Sequence, residues 1–592
     1  MNSKNWLITA VVLSLLGCAQ KPSREIITED GKLPVVPAAT LIEEAQEAIT
    51  AGQFRNADPL LQQLNFSTLT PAETLQYNLL ALEYAIGRKQ VDQSQQILNR
   101  INRAQLDQST NKDQINYGLL KAQFHELSGH NLTAARERDF LSSILEDEVK
   151  ADNHQRIWQN LTNISLENLL KWAESAPNTQ FADWLQLAAI AKDPAYTLAE
   201  HITAVNEWRL AHPAHPAGIE LPGGLSLLEE MAQQQPKHIA LLLPLTGKLA
   251  NSGKAVREGF MAAYYQTLQR GYEVPTISVI DTEASGSLEL AYGDAQALEA
   301  EWVIGPLDKK NVNQLAKLES VPLPTLALNY SDHIAVGEQP DDFFQFGLAA
   351  EDEARLIAER AFHLGYRRVL ALSPDNAWGK RIYAAFEQHW VGLGGDIAEQ
   401  RFYKQKKDYN PEIKALLNVD DSQQRYKTIR RLMRETVEFE PRRRQDVDWV
   451  FLLALPKQGR QIRPMFDFNF AGDLPVFSTS QIFSGKRNRK RDTDLNGIQF
   501  TDLPWLLESS ELKTEIENNQ KRAKGNYARL YAMGVDAFRL YPRLKQLSAL
   551  PHSKIFGVTG DLSIDGEGKI HRKMPFAIFK RGRPVALNLD TK

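Results

Sequence analysis

Hydrophobic patterning divides the chain into two textures. From residue 41 to about residue 231, apolar positions recur at helical spacing with almost no strand pattern. Beyond Pro236, short apolar runs alternate with helical stretches, a βαβα succession that predicts a parallel sheet. The first run, His238 to Leu243, stops at Pro244, which cannot go on donating to a ladder. Thr246-Gly247 then opens a loop, and Gly253 precedes a long helical pattern with Ala255, Val256, Gly259, Phe260 and Ala263 on one side. A parallel strand feeding a helix through such a loop places a ligand-facing crevice at the strand's carboxyl end. The first clue to function is therefore binding.

Further strands are expected at 276–281, 302–306, 324–328, 343–346 and 368–372, with helices at 288–300, 309–318, 349–364 and from the turn 373–379 to Trp390. Residues 447–455, VDWVFLLAL, are almost all apolar and suit a strand buried on both faces. Residues 527–540 read as a helix, and 560–589 as a final hairpin turned by Asp565-Gly566. The opening unit resembles type I periplasmic solute-binding folds, the leucine-binding-protein group, and 527–540 is similar to the helix by which those folds return to their first lobe. The resemblance implies a bilobal α/β domain over 237–592, with lobe one about 237–346 and 500–557 and lobe two about 347–499 and 558–592.

The helical region, 39–236, carries a small-residue and aromatic code: Ala45, Ala48, Gly52, Phe54, Ala57 and Leu60, echoed at Ala81, Tyr84 and Gly87 and again at Ala122, Leu127, Gly129, Ala134 and Ala135. It resembles the tetratricopeptide (TPR) helix pair, which implies an all-α solenoid offering protein-binding surface; an irregular helical bundle is the other reading. Trp158, Trp184 and Trp208 read as packing residues. The prolines around His212 and His215 end the region, and the two histidines have no third ligand nearby for a metal.

At 592 residues the chain exceeds one core, and 69 basic against 73 acidic residues exclude a global nucleic-acid signature. The sole cysteine, Cys18, ends a short apolar run, 6–17, that follows Lys4 and is too short to span a bilayer. Leu15-Leu16-Gly17-Cys18 resembles a bacterial lipobox. The resemblance implies a signal peptide at 1–17, acylation of Cys18 and, with Ala19 rather than aspartate next, sorting to the outer membrane. Residues 18–38 mix Pro, Gly and charge without period and suit a flexible tether reaching roughly 65 to 70 Å at most.

Enzyme signatures such as G-x-S-x-G, H-E-x-x-H and Walker A are missing. Ser-x-x-Lys occurs at Ser109 to Lys112 and Ser510 to Lys513, without the companion motifs of an acyl-serine enzyme. Asp561, Ser563, Asp565 and Gly566 mimic the start of a calcium loop whose twelfth position is Arg572, so a plain turn is the better reading; no metal or cofactor is expected. Candidate cleft residues follow the strands: Thr246, Gly247, Gly305, Pro306, Asn329, Asp375 and Trp378. On the solute-receptor reading, amides near Thr246 and Gly305 meet a ligand carboxylate and Trp378 covers it. Two basic clusters, Arg442, Arg443, Arg444 and Lys486, Arg487, Arg489, Lys490, Arg491, are either solvated loops or docking patches for an acidic protein or an anionic wall polymer.

Those clusters lie in or beside PRRRQDVDWVFLLALPKQGRQIRP (441–464) and RDTDLNGIQFTDLPWLL (491–507). The segments resemble the LpoA family of penicillin-binding protein activators, also called the YraM family, and the order of lipobox, tether, helical domain and bilobal domain matches as well. The resemblance implies a non-enzymatic outer-membrane lipoprotein on the periplasmic side. It would bind a class A penicillin-binding protein, a bifunctional peptidoglycan synthase, and stimulate its peptide cross-linking, with peptidoglycan as a further contact. The alternative is a membrane-tethered receptor for an amino acid or peptide-like ligand.

Overall fold

The computed structural model describes residues 36–587 apart from 65, 176–178, 333–339, 406–407, 435–437 and 551–552. Cys18, the expected signal peptide and nearly all of the expected tether lie outside the described residues. Among the described residues no helix is long and apolar enough to cross a membrane. The chain forms two compact units that divide at Leu120 and Lys121. The helical region expected over 39–236 is thus shared between them, because its later helices pack with the α/β part.

The first unit is built of helix pairs, Ala38–Thr50 with Phe54–Gln63 and Pro71–Gly87 with Val91–Arg100. Small residues bring them together: Ala45 and Ala57 are fully buried, and a β-carbon on Gly87 would lie 2.5 Å from the Phe54 ring. The Phe54 and Tyr84 rings meet edge to face with centroids 5.9 Å apart. Thr70 and Glu73 form a reciprocal capping box that fixes the start of the Pro71–Gly87 helix.

In the second unit, the helices Asn131–Leu141, Asp147–Thr162, Leu166–Ser175, Gln180–Lys192 and Leu198–Ala211 enclose a core centred on Trp158, Trp184 and Trp208. His212 pairs with Asp183 at 3.2 Å, and the His215 ring caps the Pro216–Ile219 helix by accepting from the Ala217 amide. Both are structural histidines.

Two twisted sheets follow. The strands are β1 His238–Leu243, β2 Thr276–Asp281, β3 Trp302–Ile304, β4 Ser320–Ala327, β5 Asp341–Phe346, β6 Arg368–Pro374, β7 Asp396–Tyr403, β8 Trp449–Leu452, β9 Val476–Ser478, β10 Ile498–Thr501, β11 Ile555–Gly557, β12 Gly560–Ile564, β13 Lys569–Lys573, β14 Phe576–Lys580 and β15 Arg583–Ala586. The first lobe's sheet has the order β11-β12-β13-β5-β4-β3-β1-β2 and the second β15-β14-β10-β9-β8-β6-β7. Each is parallel from its middle to one edge and carries antiparallel strands at the other, β11-β12-β13 in the first and β10-β14-β15 in the second. This is the bilobal, type I periplasmic-binding-protein-like arrangement, behind an N-terminal all-α region.

The expected lobe limits need two corrections. Residues 560–573 lie in lobe one, since β13 pairs with β5 (Ile570 opposite Phe346) and buries Leu562 and Ile570 there, so the final crossing comes at Met574-Pro575 rather than at 558. Residues 500 and 501 close strand β10 of lobe two. The hairpin therefore serves as the edge of the first sheet, and a second hairpin, β14-β15, completes the other.

Candidate functional site

A cleft of about 1110 Å³ opens between the Asn329-Tyr330-Ser331 loop and β13 of lobe one and the Ala350–His363 helix and Trp378 of lobe two. Its walls are charged and most of those charges pair with one another, but buried Arg572 keeps Nε and Nη2 without a hydrogen-bond partner among the described residues. Lys309 holds Asp332 at 2.6 Å, Arg355 holds Asp352 at 2.7 Å, Arg381 holds Glu351, and the His571 ring meets Asp565 at 2.7 Å. Hydrogen bonding to Asp352 and Asp565 pushes the His571 imidazole up to about 9, so it is cationic at neutral pH.

Under the cleft a buried polar network joins the lobes. The Ser480 amide and hydroxyl donate to Glu353 at 2.8 and 2.9 Å, while Arg529, on the Ala528–Leu540 helix, donates to Asp502 and to the Ser480 and Phe483 carbonyls. Burial raises the Glu353 carboxyl to about 7 despite the nearby guanidinium groups of Arg572 and Arg529.

Of the expected cleft residues, the structure brings Asn329 and Trp378 to this cavity and leaves the others outside its wall. Near Thr246, where amides were expected to face a ligand carboxylate, the Leu245 amide donates to Asp281 at 2.9 Å and Thr246 also bonds that carboxylate, holding it below its ordinary range in spite of burial. Gly247, at φ +68, packs beside Glu283. The Gly305 amide donates to the Leu326 carbonyl at 2.9 Å, and the Pro306 carbonyl accepts from the Leu328 amide. The carboxylate-binding role expected of these amides is therefore corrected: the chain's own acceptors already occupy them. Asn329 bridges the Leu307 carbonyl and the Tyr330 amide, and Asp375 is paired with Lys380 at 2.9 Å.

The basic clusters separate. Arg443 is buried, held by the Phe470 carbonyl and by Asp473, and Arg444 forms a two-pronged pair with Asp446 at 2.8 and 2.9 Å. Both are structural, which corrects their expected docking role and leaves only Arg442 of that trio exposed. Lys486, Arg487, Arg489, Lys490 and Arg491 are all exposed and no ion pair engages them among the described residues. Their loop is nonetheless anchored: buried Asp492 accepts from the Asn488 amide at 3.0 Å and from Arg460 at 2.7 Å.

One surface escaped the sequence reading. The helix Val419–Met433 buries only Val419 and Ser422, while its later turns carry exposed Ile429, Leu432 and Met433 among Arg425, Lys427, Arg430, Arg431 and Arg434. The run RYKTIRRLMR, with Tyr426, Ile429 and Met433 at helical spacing among cations, was the available signal. The Ser-x-x-Lys match at Ser510 is a helix cap, the hydroxyl accepting from the Lys513 amide.

Comparison with known proteins matches most of the chain. Penicillin-binding protein activator LpoA of Photobacterium profundum is 28% identical over 533 residues, covering 90% of this chain and 86% of the relative. The protein of that name from Vibrio cholerae is 28% identical over 610 residues, covering 96% and 97%. Among solved structures, full-length LpoA from Haemophilus influenzae shares the fold, with a TM-score of 0.50, 22% identity, and coverage of 93% of this chain and 95% of that one. Residues 38–582 match the family described as LppC putative lipoprotein, and the chain belongs to that family.

Proposed function

We propose that this chain binds and activates a class A penicillin-binding protein, stimulating peptide cross-linking of peptidoglycan while catalysing nothing itself. The observation that carries the reading is the end-to-end similarity, over both helical and bilobal parts, to relatives named penicillin-binding protein activators. The geometry supports it in kind. Apart from Arg572, the cleft's charges largely pair with one another, whereas an anchored loop bearing Lys486, Arg487, Arg489, Lys490 and Arg491 presents five unpaired cations to a partner. Acylated Cys18 in the outer membrane and a tether over 18–38 would carry this surface into the periplasm, with peptidoglycan as a further contact.

Activation requires that the chain bind the active state of the synthase more tightly than the resting one. The test is peptide cross-linking by a purified class A synthase with and without this chain. No stimulation, with synthase active and the chain folded, sinks the activator reading. A second reading, a tethered solute receptor, is favoured by one observation, the 1110 Å³ cleft with Trp378 in its wall. Thermal shifts with amino acids and muropeptides discriminate, because a ligand that binds only the native state raises its stability.

A further inference from the structure

A second cavity, about 300 Å³, lies where the later helices meet lobe one, inside the second compact unit. Trp158, Asn163 and Gly224 line one side, and Arg543, Gln546, Ser553 and Lys554 the other. None of the residues lining it is Asp or Glu, although two of them are cations, Arg543 buried and Lys554 half-buried. Arg543 is 8% exposed, and its side chain is bonded to the ring of His201 at 2.6 Å, an imidazole that must be neutral to accept. The Lys554 ammonium donates to Asn163 at 3.0 Å, an oxygen that also receives Lys573 at 3.2 Å. The Ser553 hydroxyl, 6% exposed overall, has no partner among the described residues.

Burial without a counter-charge costs these cations dearly. It brings the Arg543 guanidinium down to about 10, with Arg539 adding repulsion, and the Lys554 ammonium down to about 8. Asp561, the acid whose charge favours the Lys554 ammonium, lies outside the cavity lining and sits 3.6 Å from Lys192. A buried guanidinium with no ion pair among the described residues, beside an ammonium and an idle hydroxyl, is short of an anion.

We propose that this cavity binds a small oxyanion, a phosphate or carboxylate group, between Arg543 and Lys554 with the Ser553 hydroxyl as a third donor. Charge-assisted hydrogen bonds from this lobe-one wall would neutralise its two cations where they face the helical region. The ligand thereby stabilises the junction as it binds. This inference stands apart from synthase activation and survives or fails without it.

The full chain is titrated with inorganic phosphate, and separately with acetate, against chloride at matched ionic strength, reading thermal unfolding and heats of binding. Phosphate or acetate should raise the unfolding temperature where chloride does not, and the stronger of the two identifies the class. Lys554→Gln and Ser553→Ala should each weaken that binding, the first by at least about tenfold, ~1.4 kcal/mol. Arg543→Gln should abolish the anion effect while leaving the anion-free protein as stable as before or more so, since it removes an uncompensated buried charge. Should that variant fail to fold, Lys554→Gln and Ser553→Ala carry the test. Equal responses to all three anions, or unchanged affinity in both of those variants, overturns the proposal.

Discussion

Arg529 of lobe one closes on Asp502 at the carboxyl end of β10 in lobe two, through hydrogen bonds of 3.0 and 2.7 Å. Asp502 is fully buried, and Arg529 also satisfies two lobe-two carbonyls, so one side chain joins the lobes and completes the polar network beneath the cleft. Removing it strands a buried carboxylate. Arg529→Met should cost ~3–5 kcal/mol in denaturant unfolding at pH 7, and adding Asp502→Asn should restore part of that. A loss below ~1 kcal/mol would mean that water replaces the guanidinium and that the lobes are joined by packing alone.

The junction of the helices with lobe one should be acid-sensitive. His201 is buried against Arg543, and desolvation first, then that guanidinium, holds its pKa well below the ordinary imidazole value. Around the ring the other charged group is Arg539, which opposes protonation too. A base whose folded pKa is depressed contributes stability above its unfolded pKa, about 6.5, and that contribution fades as pH falls. Unfolding temperature should therefore drop as pH falls below about 6.5 more steeply in the native chain than in His201→Gln. Parallel curves for the two would remove His201 from the account.

Two glycines mark how closely the first lobe's crossing helices approach. A β-carbon on Gly534 would lie 2.1 Å from the Val256 carbonyl oxygen, and one on Gly259 would lie 2.1 Å from that of Tyr531. Backbone cannot yield as a flexible side chain does, so Gly534→Ala should destabilise by at least ~1–3 kcal/mol through forced helix separation. Gly293, on the exposed face of the Leu288–Ala297 helix, has open space around it, and Gly293→Ala should stabilise by ~0.5–1 kcal/mol. Opposite signs for one substitution type, read by the same unfolding curves, separate close packing from helix propensity.

Local pattern carried the elements better than it carried their partners. His238–Leu243 and the helix after it were legible because the strand period, Pro244 and the glycines all act within a few residues. Trp158, Trp184 and Trp208 were legible as core because large apolar rings in helices have few other uses. The cleft was not. Asp281 reaches the Leu245 amide across 36 positions, and Asp473 takes Arg443 across 30, pairings that no spacing rule encodes. The 560–573 hairpin was placed in the wrong lobe for the same reason: its strand pattern fits either sheet edge, and only pairing with β5 decides.

The loop carrying Lys486, Arg487, Arg489, Lys490 and Arg491 tests the proposed docking directly, since its charge and its shape can be changed separately. Its cations are exposed and unpaired, so Lys486→Glu with Arg487→Glu and Lys490→Glu should leave folding within ~0.5 kcal/mol of native. If the loop docks on acidic surface of a synthase, that variant should bind more slowly and lose the salt dependence of association, because steering acts within a Debye length of about 8 Å at physiological ionic strength. Asp492→Ala is the complementary change. It removes the acceptor of the Asn488 amide and of Arg460 from a site 1% exposed, so the charges remain while the anchor goes. Weakened binding by both variants would require an ordered cationic loop, and weakening by charge reversal alone would require only its charge. Binding unchanged in both, with native stimulation intact, would move the docking surface elsewhere, first to the exposed Ile429, Leu432 and Met433 of the Val419–Met433 helix.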